Sequence, residues 1–473
     1  MAQPPLTEGL GGLPPEIMHL IAQQIASDRV LNALARTNRY FYEIFNPYLY
    51  AHKATWKGRR SALIWAAKEG REETMRIALR YHNPLRKTKP LVIAVENNRE
   101  RIVEMLLAKD RVNIEALNSN KSTPLEVAVQ NGFESIVKQL LDAGANVQPW
   151  KTTREMQTGD GESLLFQAIR SGRQGVARHL IHCGKIDLNA MNHFNETALT
   201  TAVWNDRNEV IEHLLAAGAN PNTAGPLAVA VERKKVSLIR LLLDYGANPN
   251  EPNRSRRETP IYRAILAGFP PVLQVLLDCE KVDVNHVNIL NDTPLTYAIE
   301  RKKPDMANLL LCREDLCVNR GFPLDRAVRK GYTELVRALL NTGRLDGLSM
   351  IEGLASAVNT NNLDITLLVL GRKEVNINYR LPFRHAIRHG HLDIAKALLA
   401  DGRLDQESKF EGLAAAISRN DAGSNMLIPL ILDSGVDFNV KSGKYTLQTL
   451  LKDAYLVRNL KAVWHLTWRG VRS

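Results

Sequence analysis

One spacing of apolar positions runs through most of this 473-residue chain. Alanine recurs at Ala66, Ala94, Ala128, Ala168, Ala202, Ala230, Ala264, Ala298, Ala327, Ala357, Ala386 and Ala416, and Leu450 takes the next place in the series. The mean interval is about 32 residues, within the range of helical repeat arrays. Each of these positions is followed by Ala, Val, Ile or Leu, and three residues before it stands Leu, Ile or Phe. An apolar pair follows at a fixed distance in nearly every unit, as in Leu106-Leu107, Leu140-Leu141, Leu214-Leu215, Leu276-Leu277 and Leu398-Leu399. Fixed spacing inside the unit and variable spacing between units predict two short helices joined by a tight turn. Gly132, Gly172, Gly268, Gly331 and Gly390 fall at that turn, where a helix commonly ends on a left-handed residue.

Helices of about ten residues do not hold in water by themselves, because nucleation is costly and few bonds repay it. Stacking supplies the stability: the small alanines let neighbouring first helices approach closely, and the Leu pairs of the second helices fill the space between them. The expected architecture is an uninterrupted, right-handed, curved stack of about thirteen helix-turn-helix units over residues 61–473, less regular at its two ends. The connections leading to Leu324, Leu354, Phe383 and Leu413 are short, which predicts small projecting hairpins there. Gln148 to Asp160 reads as an enlarged polar loop, and Asp421 to Leu427 as an enlarged turn inside the twelfth unit.

Residues 13–52 follow a different pattern, between a flexible stretch at 1–12 and a linker at 53–60. Pro14 and Pro15 mark a helix start, and Ile17, Leu20, Ile21 and Ile25 then form an apolar stripe at helical spacing. Ser27 and Asp28 break it; Leu31, Leu34 and Ala35 begin a second helix, and Tyr40, Phe41, Ile44 and Phe45 a third. A bundle of about 40 residues is too small to bury a generous core, so it is expected to dock on a partner or on the first repeat.

Composition changes this picture little. With 45% apolar and 24% charged residues the chain is neither wholly disordered nor a membrane protein, and Met426 to Leu432, its longest apolar run, contains Pro429 and is far short of a span. The N-terminus lacks a basic segment and an apolar core, so no secretory signal is read, and a cytoplasmic or nuclear location is expected. The four cysteines, Cys183, Cys279, Cys312 and Cys317, lack metal-ligand spacing and read as free thiols of a reducing compartment. Net charge is +12, with seven Lys/Arg against one acid in residues 441–473.

No catalytic, cofactor or metal site assembles. Gly159-Asp160-Gly161 and Gly443-Lys444 are incomplete as phosphate loops, and His385 and His389, four apart with His391 nearby, lack the accompanying Glu of a metalloprotease helix. Arg254, Arg256 and Arg257, and Lys57, Arg59 and Arg60, form basic groups without the interleaved aromatics of a nucleic-acid surface. An enzyme and a nucleic-acid binder are therefore not indicated.

The stretch Ser122-Thr123-Pro124-Leu125-Glu126-Val127-Ala128, with its echoes at Glu258-Thr259-Pro260 and Asp292-Thr293-Pro294, resembles ankyrin repeats. The resemblance implies an all-α fold, an ankyrin-repeat solenoid of helix-turn-helix units carrying a small N-terminal three-helix bundle. It departs at the histidine usual after Thr-Pro-Leu, which is replaced by Glu126, Tyr262 and Thr296 and leaves that residue's hydrogen bond in question. The N-terminal bundle resembles an F-box: Leu13, Pro14, Glu16, Ile17 and Ile21 match the opening, Arg39, Tyr40 and Phe41 the middle, and Leu49-Tyr50 stands where Trp is usual. The combination looks like the substrate-recognition subunits of SCF-type ubiquitin ligases, an arrangement common among fungal proteins. It implies a Skp-type adaptor and cullin as partners, with Leu13, Pro14, Ile17, Ile21, Leu34 and Phe41 forming or supporting the adaptor surface. In ankyrin-like units the residues five and six places after the leading apolar residue face the groove. Here these give Trp204, Arg301, Arg329, Lys330, Arg388 and Arg419, which points to a protein target with an acidic or phosphorylated segment.

Overall fold

The computed structural model describes residues 13–25, 27–37, 39–45, 62–81, 89–110, 112–148, 163–252, 256–438 and 446–470. The stretches at 1–12 and 46–60, most of the Gln148–Asp160 loop and the Gly443-Lys444 pair lie outside them. The chain divides into two compact bodies, Met1–Pro226 and Leu227–Ser473. Among the described residues regular structure is helical, and the one pairing of extended backbone is an isolated bridge between Met191 and Thr197.

All thirteen periodic positions, Ala66 through Leu450, are 0% exposed, and each lies in the first helix of a hairpin. Numbering the repeats by these residues, the N-terminal body holds repeats 1–5 and the C-terminal body repeats 6–13. Repeat 3 shows why the sequence folds this way. Its first helix, Pro124–Asn131, starts at Thr123, whose hydroxyl accepts from the Glu126 amide at 3.2 Å while Glu126 accepts from the Thr123 amide at 2.8 Å. This reciprocal cap satisfies two amides that a helix start leaves without partners. Gly132 at φ 78° ends the helix, and the second helix, Glu134–Asp142, buries Ile136, Val137, Leu140 and Leu141.

The replaced histidines are compensated one by one. Glu126 closes the cap just described, and Thr296 closes an equivalent one with Thr293. Tyr262 is 0% exposed, and its hydroxyl lies 2.6 Å from the His286 carbonyl oxygen and 2.7 Å from that of Asp292, bonding the hairpin that follows. Burial pushes its phenol well above the usual range. Side chains also bridge consecutive units: Asn250 and Asn285 each accept from a backbone amide and donate to a carbonyl of the next connection at 2.6–2.7 Å.

Repeats 10 and 12 differ from the expectation of small hairpins. Their first helices, Gly347–Asn359 and Gln406–Arg419, extend back through the place of the hairpin, started by Asp346 and Asp405, whose carboxylates accept from Ser349 and Ser408 amides at 2.7 and 2.8 Å. The preceding repeats 9 and 11 start on left-handed Phe322 and Leu381 followed by Pro323 and Pro382. Arg344 and Arg403 occupy equivalent places before these long helices. Arg403 donates to the carbonyls of Arg372, Lys373, Val375 and Leu370 at 2.7–3.2 Å and is held by Asp401; Arg344 donates to Arg313, Glu314, Leu316 and Leu311 at 2.7–3.4 Å. Repeats 9–10 and 11–12 are thus two copies of one double unit. The enlarged turn expected at Asp421 to Leu427 is also helix: Asp421 accepts from the Ser424 amide at 2.7 Å and starts Ala422–Asp433.

Candidate protein-binding surfaces

In the N-terminal bundle, helix α1 (Pro15–Gln24), helix α2 (Asp28–Ala35) and a helical segment at 39–45 enclose a core of Met18, Ala22, Leu31, Ala35, Phe41, Ile44 and Phe45. Ile21, Ile25 and Leu34 pack against it. The six residues of the adaptor reading therefore separate by role. Phe41, Leu34 and Ile21 serve the bundle's interior, whereas Leu13, Pro14 and Ile17 are exposed. Ile17 and Leu20 of α1 are 42% and 56% exposed, and Leu13, two residues before the helix, is 36% exposed, so the start of α1 carries a second apolar patch turned away from its own core. The Tyr40 hydroxyl, 3.3 Å from the Leu13 carbonyl oxygen, ties the third helix to this edge. The sequence pattern put Ile17 and Leu20 in one stripe with Ile21 and Ile25; Met18 and Ala22 occupy the interior instead.

The groove reading divides between the two bodies. In the N-terminal body Trp204 ends the first helix of repeat 5, Ala198–Trp204, and is 40% exposed. Met191 and Phe194, in the hairpin leading into the same repeat, are exposed as well, with the Arg170 guanidinium 5.9 Å from the Phe194 ring centre. Sequence reasoning passed over these two, although large apolar residues among Asn and His in a connection were the available signal.

In the C-terminal body the expected row of free cations is largely neutralised by neighbours. Arg301 lies 4.8 Å over the Tyr297 ring, Arg329 pairs with Asp325, and Lys330 sits 2.9 Å from Glu300. Arg326, which the groove reading omitted, binds Asp292 at 2.7 Å and approaches Glu300 at 3.6 Å. Arg419 pairs with Asp421 and donates to the Arg388 carbonyl at 2.6 Å. Asp325 and Asp421 lie four and two residues from the cations they answer, within the same repeat, whereas Glu300 and Asp292 come from the repeat before, a relation that linear spacing within one repeat does not display. Arg388 itself is exposed and, among the described residues, has no carboxylate within ion-pair distance.

Arg419 belongs to a recurring device. An arginine at the turn between a repeat's two helices, opening the second helix at Arg99, Arg173 and Arg207 and closing the first at Arg419, lies across the glycine that ends the first helix of the preceding repeat and donates to that helix's late carbonyls: Arg99 to Lys68 beside Gly70, Arg173 to Val129 beside Gly132, Arg207 to Ile169 beside Gly172, and Arg419 to Arg388 beside Gly390. A Cβ at any of these glycines would press on the guanidinium, which gives the glycine a second reason besides its positive φ.

Among the described residues no group of His, Cys, Asp and Glu has metal-binding geometry, and no helix is long and apolar enough to cross a membrane. His385 is exposed and stacks with His389, which in turn stacks with His391. The His391 ring nitrogen Nδ1 is 2.7 Å from the Val358 carbonyl oxygen. The four cysteines are free, Cys312 and Cys317 exposed. Of the interrepeat arginines, the carbonyls of Arg256 and Arg257 bond Ile289 and His286 of the next connection, and Arg254, like Lys57, Arg59, Arg60 and Leu49-Tyr50, lies outside the described residues.

The chain is similar to the putative ankyrin repeat protein FPV022 of Fowlpox virus (strain NVSL), 26% identical over 298 residues that make up 60% of this chain and 50% of that protein. It is similar also to the ankyrin repeat domain-containing protein SAT10 of Stachybotrys chartarum, 27% identical over 34% of this chain and 9% of that protein. The chain thus spans half or less of the length of these curated relatives. Among solved structures, the ankyrin repeat domain of Bcl-3 aligns at 28% identity and a TM-score of 0.40, covering 47% of this chain and 98% of that one. The family model for ankyrin repeats (3 copies) matches residues 30–116, 63–150, 149–225 and 227–320, well over half of the chain; the protein therefore belongs to the ankyrin-repeat family and has a protein–protein interaction role.

Proposed function

We propose that this protein is a substrate-recognition subunit of an SCF-type ubiquitin ligase, its N-terminal bundle binding a Skp-type adaptor and, through it, a cullin, while the repeats hold the protein to be modified. It tethers and positions; other subunits carry out the transfer. The observation that carries the reading is the second apolar patch at the start of α1, Ile17 and Leu20 with Leu13 just before the helix, exposed on a bundle whose interior is already filled by Met18, Leu31, Phe41 and Phe45. Large apolar side chains repeated along one helix face are recovered from water only when a partner covers them. The reading places the protein in the cytoplasm or nucleus.

A second reading, a ligase-independent ankyrin scaffold or inhibitor, is favoured by one specific observation. The ankyrin match begins at residue 30, inside the bundle, so the bundle's later part also fits a divergent first unit that caps the stack. An affinity pull-down separates the two. Recovery of adaptor and cullin by the wild type, lost in Ile17→Asp/Leu20→Asp with helicity unchanged, supports the ligase reading; their reproducible absence from the wild type leaves the scaffold. Because Ile17 and Leu20 face outward, these substitutions spare the core that Ile21→Asp would damage.

For target capture, the anchors are Trp204 in the N-terminal body and the groove-side cations Arg301, Arg329, Lys330, Arg388 and Arg419 in the C-terminal body. Aromatic anchors supply interface energy, and charges supply steering and register. Trp204→Ala and Arg329→Glu/Lys330→Glu/Arg388→Glu are each expected to weaken target binding, with salt sensitivity reduced only in the charge variant. Unchanged binding in both would remove the groove from this role.

A further inference from the structure

We infer that the concavity between the first helices of repeats 11 and 12 is a seat for the phosphate of a phosphorylated partner segment, with Arg384, Arg388 and Arg419 as its donors. This rests on the array binding a protein partner. The concavity, about 380 Å³, is lined by Arg384, Arg388, Ala414, Ala415, Ser418 and Arg419 alone. Three arginines thus share it with two alanines and a serine.

Two of the three are already held in place. Arg419 lies across Gly390, donates to the Arg388 carbonyl at 2.6 Å and pairs with Asp421. Arg384 is 3.1 Å from Glu411. Each guanidinium carries five N–H donors in a rigid plane, so one carboxylate contact fixes its position and leaves donors for a ligand. Arg388 supplies charge that no carboxylate among the described residues offsets. The imidazole of His385, one turn before His389 on the same helix, is held below the usual histidine range, first by partial desolvation of its ring and then by repulsion from His389, Arg384 and Arg388.

The contrast with the neighbouring cations selects this place. Lys330 and Arg326 share Glu300, Arg329 is matched to Asp325, and Arg301 covers Tyr297, so repeats 8 and 9 present paired surfaces. A phosphomonoester brings three acceptor oxygens and up to two charges, which fits converging guanidiniums better than a single planar carboxylate does. Alanines at 414 and 415 leave room for the peptide backbone that carries it.

The test uses the full chain and phenyl phosphate as probe, followed by ³¹P line broadening at constant ionic strength with phenyl sulfonate as the monoanionic control. Saturable phosphate binding is expected, weakened at least tenfold by Arg388→Ala, recovered only in part by Arg388→Lys, and changed less than twofold by Arg337→Ala, an exposed arginine on the second helix of repeat 9. Absence of saturable binding, or equal losses in Arg388→Ala and Arg337→Ala, overturns the seat. A second arm incubates the captured target with phosphatase: loss of binding supports the proposal, whereas full retention in a target still sensitive to Trp204→Ala overturns the seat and leaves the groove reading standing. Sedimentation with phosphoinositide vesicles that Arg388→Glu abolishes, alongside a phosphatase-insensitive target, would assign the seat to a lipid headgroup and equally overturn it.

Discussion

Repeats 3 and 8 and repeats 10 and 12 solve the same problem in two ways. In the first pair a threonine cap and a proline start a short first helix directly after the hairpin: Thr123 with Pro124, and Thr293 with Pro294. In the second pair the hairpin is gone, the first helix runs for 13 and 14 residues, and an aspartate caps it. Removing the hairpin exposes the preceding connection's carbonyls, and Arg344 or Arg403 is placed to bond them. It also forces a glycine into the lengthened helix, because Gly353 and Gly412 lie against Leu324 and Phe383 of the preceding repeat. One substitution of connection type thus brings with it a cap, an arginine and a glycine.

The largest effect that would break this comparison is expected from Arg403→Ala. Four carbonyls lose a charged donor, and charge-assisted bonds of this kind contribute roughly 1.5–3 kcal/mol, so local stability should fall by about 3 kcal/mol. Because repeat arrays unfold by neighbouring units, the loss is best read by hydrogen exchange in repeats 11 and 12, with repeats 6 to 8 as the internal reference. Unchanged protection there would mean that the arginine is an ornament of the connection and not its support.

Gly412→Ala comes next and has an informative sign. Helix propensity alone favours alanine by about 1 kcal/mol, whereas a methyl group pressed on the Phe383 ring should cost about 1–3 kcal/mol by overpacking. Net destabilisation by about 1 kcal/mol or more is expected; a gain in melting temperature would show that Phe383 moves aside freely. The corresponding substitution in the main array, Ala264→Leu, meets a 0% exposed site and should cost roughly 1–3 kcal/mol, which thermal unfolding would detect.

Tyr262→Phe sharpens the comparison from the hairpin side. Removing the hydroxyl leaves the His286 and Asp292 carbonyls without that donor, for about 1–2 kcal/mol. The wild type also carries a pH signature. Burial raises the folded phenol above the unfolded value of about 10, so its contribution is complete below that pH and is lost as pH rises towards the folded value. Melting curves taken between neutral pH and strongly alkaline buffer should converge for wild type and Tyr262→Phe; parallel curves would contradict the assignment. The smallest effect is Thr123→Ala, about 1 kcal/mol from a lost cap, detectable as faster exchange at the Glu126 amide.

Legibility of the chain followed the range of the interactions. The alanine register was readable at every one of thirteen positions because close helix packing admits few alternatives and repeats the constraint. The long helices of repeats 10 and 12 were not read, although Asp346 and Asp405 stand at their starts, because a shortened connection is equally a small hairpin until its carbonyls have partners. In the candidate sites, Ile17 was placed on the apolar stripe, but its outward direction depends on Met18 and Ala22 filling the interior from one residue over. The groove cations were located by register, yet their partners Asp325, Glu300 and Asp421 decide which of them remains available.

The sequence by itself determined the repeating hairpin, its period, its buried alanines and its membership among ankyrin-type arrays, because each is a local pattern imposed again in every unit. Tertiary structure alone decided which charges are neutralised, which glycines receive an arginine from the next repeat, and that Arg384, Arg388 and Arg419 converge on one concavity. The physical reason is that helix formation, burial and local pairs such as Arg329 with Asp325 are governed by residues a few places apart, whereas pairs such as Lys330 with Glu300 and Arg384 with Glu411, and the geometry of the site, depend on side chains about thirty residues apart that only stacking brings within reach.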